Sequence, residues 1–241
     1  TSGGAITPIS GATSATYTPT ATDMGGAGTW YVVCTSTPTC GSATVSNEVT
    51  VTVSPTSVGG TATAASASVC SGSNTTVSVS GYTGSIQWQQ SANGSTGWGN
   101  VSGGSGATSD TYTTPNLSST TYYKALITSG VCSSASSTTA TVTVNALPTV
   151  AAITGTAAVC TQFTTQLACS TASGVWSSSD ETKATVNSSG LVTGVAQGSA
   201  VISYTVTNGS GCSAASTATV TVSASLAAPT SVTATPSSIQ S

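Results

Sequence analysis

Few residues in this sequence can do chemistry, and cysteine is the most frequent reactive type among them. The 241 residues include seven cysteines and no histidine, while two lysines and five acidic residues are the only charged side chains. No two cysteines form a C-x-x-C pair, so the pattern predicts neither a zinc site nor a redox pair, and we expect no metal and no cofactor. Cysteine at this frequency in small β-rich units is typical of disulfide bonds in an oxidising, extracellular compartment.

The acidic residues do not form a catalytic pattern. Asp180 and Glu181 are the only adjacent acids. Neighbouring side chains on a strand point to opposite faces, so these two do not share general acid–base work, and Lys183 offers a surface ion pair instead. No D-x-D-x-D run supplies the oxygen ligands that calcium needs, and the many hydroxyls lack a histidine base. We therefore predict no catalytic residues, no metal ligands and no enzymatic activity.

The scarcity of charge narrows the range of partners. Charged residues make up 3% of the chain, against roughly 25% in an ordinary soluble domain. Nucleic acids and anionic membrane surfaces are bound by clustered lysine and arginine, so the composition excludes both. No apolar run reaches the ~20 residues of a membrane helix, and we predict no membrane insertion.

One hairpin-like stretch occurs three times and organises the chain. Each copy has two runs of alternating apolar residues joined by a polar segment that carries a cysteine, at residues 29–53, 121–145 and 201–223. Alternation with a period of two indicates strands with one buried face, here the face of Val142 and Val144. Because strand signals recur about every 8 to 12 residues and no helical period is present, we predict an all-β protein of tandem antiparallel β-sandwiches in an extended array.

The repeat also predicts the domain boundaries. Residues 55–145 and 146–223 read as complete domains, and residues 224–241 as a linker and the start of a further domain. Residues 1–54 match only the back part of the next unit, so we interpret them as the C-terminal part of a domain. Missing strands would leave sheet edges exposed, and we expect this part not to fold alone.

Local signals predict individual strands. In the domain 55–145 they indicate strands at 85–91 and 111–114, with the Asn93-Gly94 pair supplying the positive φ angles of a tight hairpin. In the domain 146–223 they indicate strands that include 184–186 and 200–206.

Two stretches resemble known families. Residues 174–212 resemble the bacterial Ig-like group 2 domain, through W-S-S-S-D, A-T-V, N-S-S-G-L-V-T-G-V and G-x-A-x-I-x-Y. Residues 56–145 resemble the tandem Ig-like repeats of giant Bacteroidetes cell-surface proteins, through V-C-S-G-S, I-Q-W-Q-Q-S-A-N-G, T-T-Y-Y-K-A and S-G-V-C-S-S. Those repeats are similar to the exported adhesins of gliding bacteria that use type IX secretion. The resemblance implies Ig-like domains in a cell-surface stalk and carries over no catalytic residue.

The cysteines are interpreted mainly as structural. Cys70 with Cys132, and Cys160 with Cys212, occupy equivalent places in the two complete domains, and we predict that each pair ties the start of its sandwich to its last hairpin. On a chain-entropy account each such bond stabilises by roughly 4 kcal/mol.

Three cysteines lack a clear partner within these two domains. Cys40 matches Cys132, so its partner is expected in the missing front of the first domain. Cys34 lies where Ig-type domains often place a core cysteine, and a Cys34–Cys40 bond is the local alternative. Cys169 is either a free thiol or a cross-link to a neighbouring chain.

Trp98 is the candidate glycan contact, because its flanking glycines favour exposure, whereas the other tryptophans read as core residues. We hypothesise a structural stalk segment of a long secreted, cell-surface adhesin or extracellular filament that presents a distal tip. Its expected partners are other domains of the same long chain, surface glycans or neighbouring filament chains. Two alternatives remain: a self-assembling filament subunit completed by strand exchange, and a carbohydrate-binding module of a secreted enzyme.

Overall fold

The computed structural model describes residues 7–20 and 22–225, and every regular element in these ranges is a β-strand. The chain divides into two units, and the boundary between them along the sequence falls between Val144 and Asn145. The described residues contain no helix long and apolar enough to cross a membrane. The predicted end of the chain, residues 224–241, falls almost entirely outside the described residues.

The first unit begins with a ribbon of short strands. Its strands are β1 (Gly28–Val32), β2 (Thr35–Ser36), β3 (Thr44–Val45) and β4 (Val49–Val53). They pair only with each other, as β1–β4 and β2–β3, both antiparallel. Apolar side chains on them remain in water: Tyr31 is 44% exposed and Val49 62%. Within the described residues this ribbon has no second sheet packed on it, so the prediction that it is part of a larger domain stays a prediction.

The rest of the first unit is a sandwich of two sheets, which we call the first sandwich. One sheet has the order β10–β7–β5, and the other the order β6–β13–β11–β8–β9, with β12 also on β11. The strands are β5 (Thr61–Ala64), β6 (Ser68–Cys70), β7 (Thr76–Ser80), β8 (Ser85–Ser91), β9 (Gly99–Asn100), β10 (Thr111–Thr113), β11 (Thr121–Thr128), β12 (Ala135–Ser136) and β13 (Ala140–Asn145).

The core of the first sandwich lies between its two sheets. Trp88, Tyr112 and Tyr123 are fully buried there, among aliphatic side chains from β7, β11 and β13. The indole Nε1 of Trp88 donates to the Ser109 carbonyl at 2.9 Å, so this polar atom is satisfied inside the core. The alternation read from the sequence is confirmed, since Val142 is fully buried and Val144 packs against the same core.

The second unit is a sandwich of eight strands, which we call the second sandwich. One sheet has the order β14–β16–β19–β18 and the other β15–β21–β20–β17. The strands are β14 (Thr154–Gly155), β15 (Ala158–Cys160), β16 (Thr164–Ala168), β17 (Val175–Ser178), β18 (Ala184–Val186), β19 (Leu191–Gly194), β20 (Gly198–Thr207) and β21 (Ser213–Ser223).

The second sandwich has its own core. Leu167, Val192, Ile202 and Val220 are at most 1% exposed and form one cluster between the sheets. Trp176 packs against this cluster and contacts the Tyr204 ring in a tilted arrangement, with ring centroids 4.8 Å apart. The alternating run of β20 supplies the inward face, which explains why the sequence pattern located this strand.

The structure confirms the strands predicted at 85–91 and 184–186, and strands cover most of 111–114 and all of 200–206. The tight hairpin predicted at Asn93-Gly94 is wrong. Of the pair, only Gly94 has a positive φ, of 73°, and the whole segment 92–98 forms the loop between β8 and β9. The Asn93 side chain folds this loop by accepting hydrogen bonds from the backbone N–H groups of Ser95 and Thr96, at 3.0 and 2.9 Å.

Candidate functional site

Each sandwich carries cysteines at both of its ends. We call the end with the turn between the last two long strands the hairpin end; this turn is 129–134 in the first sandwich and 208–212 in the second. The opposite end, where the last strand leaves the sandwich, is the exit end. The cysteines are the chain's most reactive groups, so their places at these ends decide what they can bond.

Cys132 lies at the hairpin end of the first sandwich. Its backbone N–H donates to the Ser129 carbonyl at 3.0 Å, directly after β11. Its Sγ atom is 3.7 Å from the carbonyl oxygen of Ser54, the residue that follows β4. The chain therefore arrives in this sandwich at the hairpin end, beside the thiol.

Cys70 lies at the exit end of the same sandwich. It ends β6, which neighbours the last strand β13, and the Thr143 N–H donates to the Ala67 carbonyl at 2.9 Å. After Cys70 the chain turns back, and the Gly72 N–H reaches the Leu117 carbonyl at 2.7 Å, shortly before β11 begins. Cys70 and Cys132 are thus separated by the length of β11.

The second sandwich repeats this arrangement. At the hairpin end, Cys212 is fully buried, and its Sγ atom is 4.0 Å from the carbonyl oxygen of Asn145, the last residue of β13. At the exit end, β15 runs parallel to β21, with Cys160 opposite Ser223. The Thr161 N–H donates to the Ser223 carbonyl at 2.9 Å, which holds Cys160 beside the departing chain.

The structure does not bring together the cysteines that the sequence paired. Cys132 and Cys160 carry free thiols, whereas Cys70 and Cys212 are each disulfide-bonded. The reason is distance. The eight residues of β11 span roughly 25 Å and the eleven residues of β21 roughly 35 Å, at about 3.3 Å per residue. A disulfide needs Cα atoms within about 7 Å, so neither the Cys70–Cys132 nor the Cys160–Cys212 bond forms inside its sandwich.

The three remaining cysteines are free as well. Cys34 and Cys40 are exposed on the ribbon and do not bond to each other. The backbone N–H of Cys34 donates a hydrogen bond to the Ser46 hydroxyl at 2.9 Å. Cys169 is half-buried, with its thiol donating to the Ala151 carbonyl at 3.3 Å, which gives this side chain a structural partner.

Trp98, the candidate glycan contact, is only half-exposed. It lies in the loop before β9, and the Nζ atom of Lys124 is 4.6 Å from the centroid of its ring. A cation over the ring face is a favourable contact that occupies the surface on which a sugar would stack. A shallow polar cleft of about 330 Å³ lies beside this loop and is lined by residues that include Gln90, Asn100 and Thr121.

Of the acidic pair, Asp180 is held by local hydrogen bonds. The Asp180 carboxylate accepts from the backbone N–H and the hydroxyl of Thr182, at 2.9 and 2.6 Å. The Thr182 hydroxyl lowers the pKa of Asp180 below its usual value, and the charge of Lys183 contributes further. In residues 7–20 and 22–225 no three metal-ligating side chains come together.

Sequence reasoning missed that the Sγ atom of each hairpin-end cysteine lies close to the carbonyl oxygen of the residue after a V-T-V run. A signal for it was present, because Ser54 and Asn145 both directly follow a V-T-V run in the repeated hairpin.

Two separate parts of the chain match known protein families. Residues 148–218 match the bacterial Ig-like domain (group 2), and residues 58–146 match a domain of unknown function (DUF8696). No curated protein matches the chain.

Several solved structures are similar in outline. An adhesin with which an Antarctic bacterium binds ice aligns with 15% identity and a TM-score of 0.36, over 83% of this chain and 58% of that one. A 1.5-MDa bacterial ice-binding adhesin aligns with 16% identity and a TM-score of 0.31, over 80% and 73% of the two chains. The I9–I11 tandem of titin aligns with 14% identity and a TM-score of 0.31, over 83% and 74%.

The family match and the strand order agree on the fold. The sheets of the second sandwich, β14–β16–β19–β18 and β15–β21–β20–β17, correspond to the A-B-E-D and G-F-C sheets of an Ig sandwich, with β15 added beside the last strand. The chain therefore has the predicted all-β, Ig-like fold.

Proposed function

We propose that this chain is a stalk segment of a long, secreted cell-surface adhesin, in which tandem Ig-like domains bear load and hold a distal tip away from the cell. One observation carries the proposal: in each sandwich the chain arrives at the hairpin end and leaves at the exit end. Ser54 and Asn145 mark the two arrivals, and Asn145 and Ser223 the two departures. A pull on the array therefore acts along the strands of each sandwich.

This geometry favours mechanical resistance. The second sandwich has a parallel contact, in which Ala158, Val159 and Cys160 of β15 face Thr221, Val222 and Ser223 of β21. A pull along β21 loads these backbone hydrogen bonds together instead of one after another. In the first sandwich, β6 takes the same place beside β13.

The surface chemistry suits an exposed position outside the cell. With 3% charged residues, the domains depend little on ionic strength, because few charges are present to be screened. Disulfide-bonded cysteines fit an oxidising compartment, which supports an extracellular, cell-surface location. The nearest partners would be the other domains of the same long chain.

Single-molecule pulling on the full chain tests the load-bearing role. Pulled through its two ends under reducing conditions, the chain should show two main unfolding events. Each should release about 30 nm, since roughly 80 to 90 residues extend by about 3.5 Å each. The control uses handles at Gln197 and Ser223, which lie at the same end of β20 and β21 and peel these strands apart one hydrogen bond at a time. Unfolding of the second sandwich should need several-fold more force from the chain ends, and equal forces would contradict the proposal.

The adhesin role needs a test in cells that carry the native protein. Antibodies to residues 55–223 should label intact cells. Deleting these residues should weaken attachment, whereas an unrelated Ig-like tandem of the same length should restore it. Loss of attachment with the unrelated tandem would show that this segment binds a ligand itself.

The ribbon at residues 28–53 favours a second candidate function, a filament subunit completed by strand exchange. Its two strand pairs form sheets separate from those of the two sandwiches, and they expose apolar side chains, as an acceptor of a further strand would. Electron microscopy of the purified chain separates the two functions, since a filament subunit would form a regular lattice and a stalk segment would stay as single chains.

A further inference from the structure

The cysteines at the two ends fall into two equivalent classes. At the hairpin ends, Cys132 and Cys212 each place Sγ against the carbonyl that follows the preceding V-T-V run, at 3.7 and 4.0 Å. At the exit ends, Cys70 and Cys160 each end a short strand beside the last strand of the sandwich. Both exit-end cysteines then accept a hydrogen bond in the same tight turn, from the N–H groups of Ser73 and Phe163, at 3.0 and 3.1 Å.

Each class has one bonded and one free member. Cys212 and Cys70 are disulfide-bonded, whereas Cys132 and Cys160 are free. Both places can thus hold a half-cystine without disturbing the sandwich. Because the two classes lie at opposite ends of a sandwich, the two cysteines of one sandwich cannot bond to each other.

The surroundings of the two free thiols favour contact with another protein surface. Val131, next to Cys132, is 100% exposed, and Phe163, in the turn after Cys160, is 59% exposed. Cys160 itself is exposed and Cys132 is partly exposed, so both sulfur atoms are within reach of an oxidant. An apolar side chain beside each thiol offers surface that a docked neighbour would bury.

We propose that Cys132 and Cys160 are the two complementary ends of a covalent link between successive domains of this type. The exit-end cysteine of one domain bonds to the hairpin-end cysteine of the next, and the next domain belongs either to the same polypeptide or to a second copy of this chain. The link requires only the repeated geometry of the ends, so it does not depend on the adhesin role.

The bond forms by thiol–disulfide exchange with a small or protein disulfide such as oxidised glutathione. The Cys160 thiolate attacks one sulfur of the glutathione disulfide, forms a mixed disulfide and releases one reduced glutathione. The Cys132 thiolate of the neighbouring domain then attacks the Cys160 sulfur, and the second glutathione leaves. Two protein thiols are oxidised, one glutathione disulfide is reduced, and the two protons end on the two glutathione thiols.

The test uses the full chain with Cys34→Ser, Cys40→Ser and Cys169→Ser, so that Cys132 and Cys160 are the only free thiols. In a glutathione redox buffer the folded protein should form a ladder of covalent oligomers that collapses on reduction. Mass spectrometry of unreduced peptides should find Cys132 linked to Cys160. Adding Cys132→Ser or Cys160→Ser should abolish the ladder, and a mixture of these two variants should give one discrete heterodimer.

A displaced thiol provides the matched control. In the chain with Cys160→Ser and Ser188→Cys the second free thiol moves to an exposed turn between β18 and β19, and its coupling to Cys132 should fall at least tenfold. Equal coupling, a statistical mixture of all thiol pairings, or glutathione adducts alone would overturn the proposal. In native material, reduction that leaves the molecular mass unchanged would place the link within one polypeptide, and a fall in mass would place it between copies.

Discussion

Two tyrosines at the centre of the first sandwich show how a single hydroxyl group shapes its stability. The rings of Tyr112 and Tyr123 lie 6.0 Å apart, and both residues are fully buried. The Tyr112 hydroxyl donates to the Gly103 carbonyl at 2.9 Å, whereas the Tyr123 hydroxyl has no hydrogen-bond partner among the described residues. Burial raises the pKa of Tyr123 to about 12. The Thr121 hydroxyl donates to the Ser119 carbonyl, and its weaker interaction with the Tyr123 hydroxyl opposes this rise only in part.

The raised pKa predicts a loss of stability in alkali. A phenol whose folded pKa exceeds its unfolded value of about 10 contributes full stability below pH 10. This contribution disappears as the pH rises toward 12. Tyr123→Phe should therefore move the alkaline unfolding midpoint of the first sandwich to higher pH. The measurement is urea unfolding at pH values between neutral and strongly alkaline.

The neighbouring tyrosine is the control for this substitution. Tyr123→Phe should leave stability at pH 7 unchanged or slightly raised, because it removes a buried hydroxyl without a partner. Tyr112→Phe should cost about 1 kcal/mol at pH 7, because the Gly103 carbonyl loses its donor. Equal losses from the two variants at pH 7 would mean that the Tyr123 hydroxyl has a partner in solution.

Gly174 lies so close to the Tyr204 ring that there is no room for a side chain at this position. A Cβ atom added there would lie 2.2 Å from the Tyr204 ring, and the Gly174 N–H donates to the Tyr204 hydroxyl at 2.8 Å. Gly174→Ala should lower the free energy of unfolding of the second sandwich by about 1 to 3 kcal/mol, through displacement of this ring. Gly209→Ala is the matched control, since no atom lies within 4 Å of its Cβ position and the turn is exposed. Similar thermal unfolding midpoints for the two variants would contradict the assigned contact.

At the scale of elements, the short exit-end strands determine which cysteines can meet. β15 pairs in parallel with β21, so it carries Cys160 toward the departure of the chain and away from the hairpin. Had β15 been antiparallel to β21, its cysteine would lie nearer Cys212. These short strands were not predicted from the sequence, and a two-residue alternation is the same in both directions, so no such pattern shows to which end of the sandwich a strand points.

Other elements were predictable for equally local reasons. Apolar and polar residues alternate through residues 85–89 of β8 and 202–207 of β20, and each strand has one buried face, so period two located them. The loop 92–98 was not predictable from the Asn93-Gly94 pair, because the Asn93 side chain accepts backbone hydrogen bonds and stabilises a longer loop. The position of Trp98 depends on Lys124 of another strand, a contact that no local pattern encodes.

The ribbon of β1 and β4 predicts a sharp difference in backbone protection. Its five residue pairs, from Gly28–Val53 to Val32–Val49, are covered by no core cluster among the described residues. Amide hydrogen exchange in β1 and β4 should therefore be at least a hundredfold faster than in β8 and β11, where Trp88 and Tyr123 are buried. Comparable protection would show that another chain or strand covers the ribbon in solution.

At the scale of the whole molecule, the two units have separate hydrophobic cores. The core of the first sandwich includes Ile127 and that of the second includes Ile202, and both side chains are fully buried. No buried residue of one cluster belongs to the other. Because cooperativity comes from shared burial, each sandwich should unfold as its own cooperative unit.

Matched core substitutions test this independence. Ile127→Ala and Ile202→Ala should each cost about 2 to 5 kcal/mol, from lost burial and the cavity that remains. Hydrogen exchange in urea, followed by mass spectrometry under reducing conditions, reads the two sandwiches separately. Ile127→Ala should lower the midpoint only for peptides from residues 58–144, and Ile202→Ala only for peptides from residues 146–223. A shift of both sets by either substitution would mean that the two sandwiches unfold together, and a pull on the chain would then release them in one step.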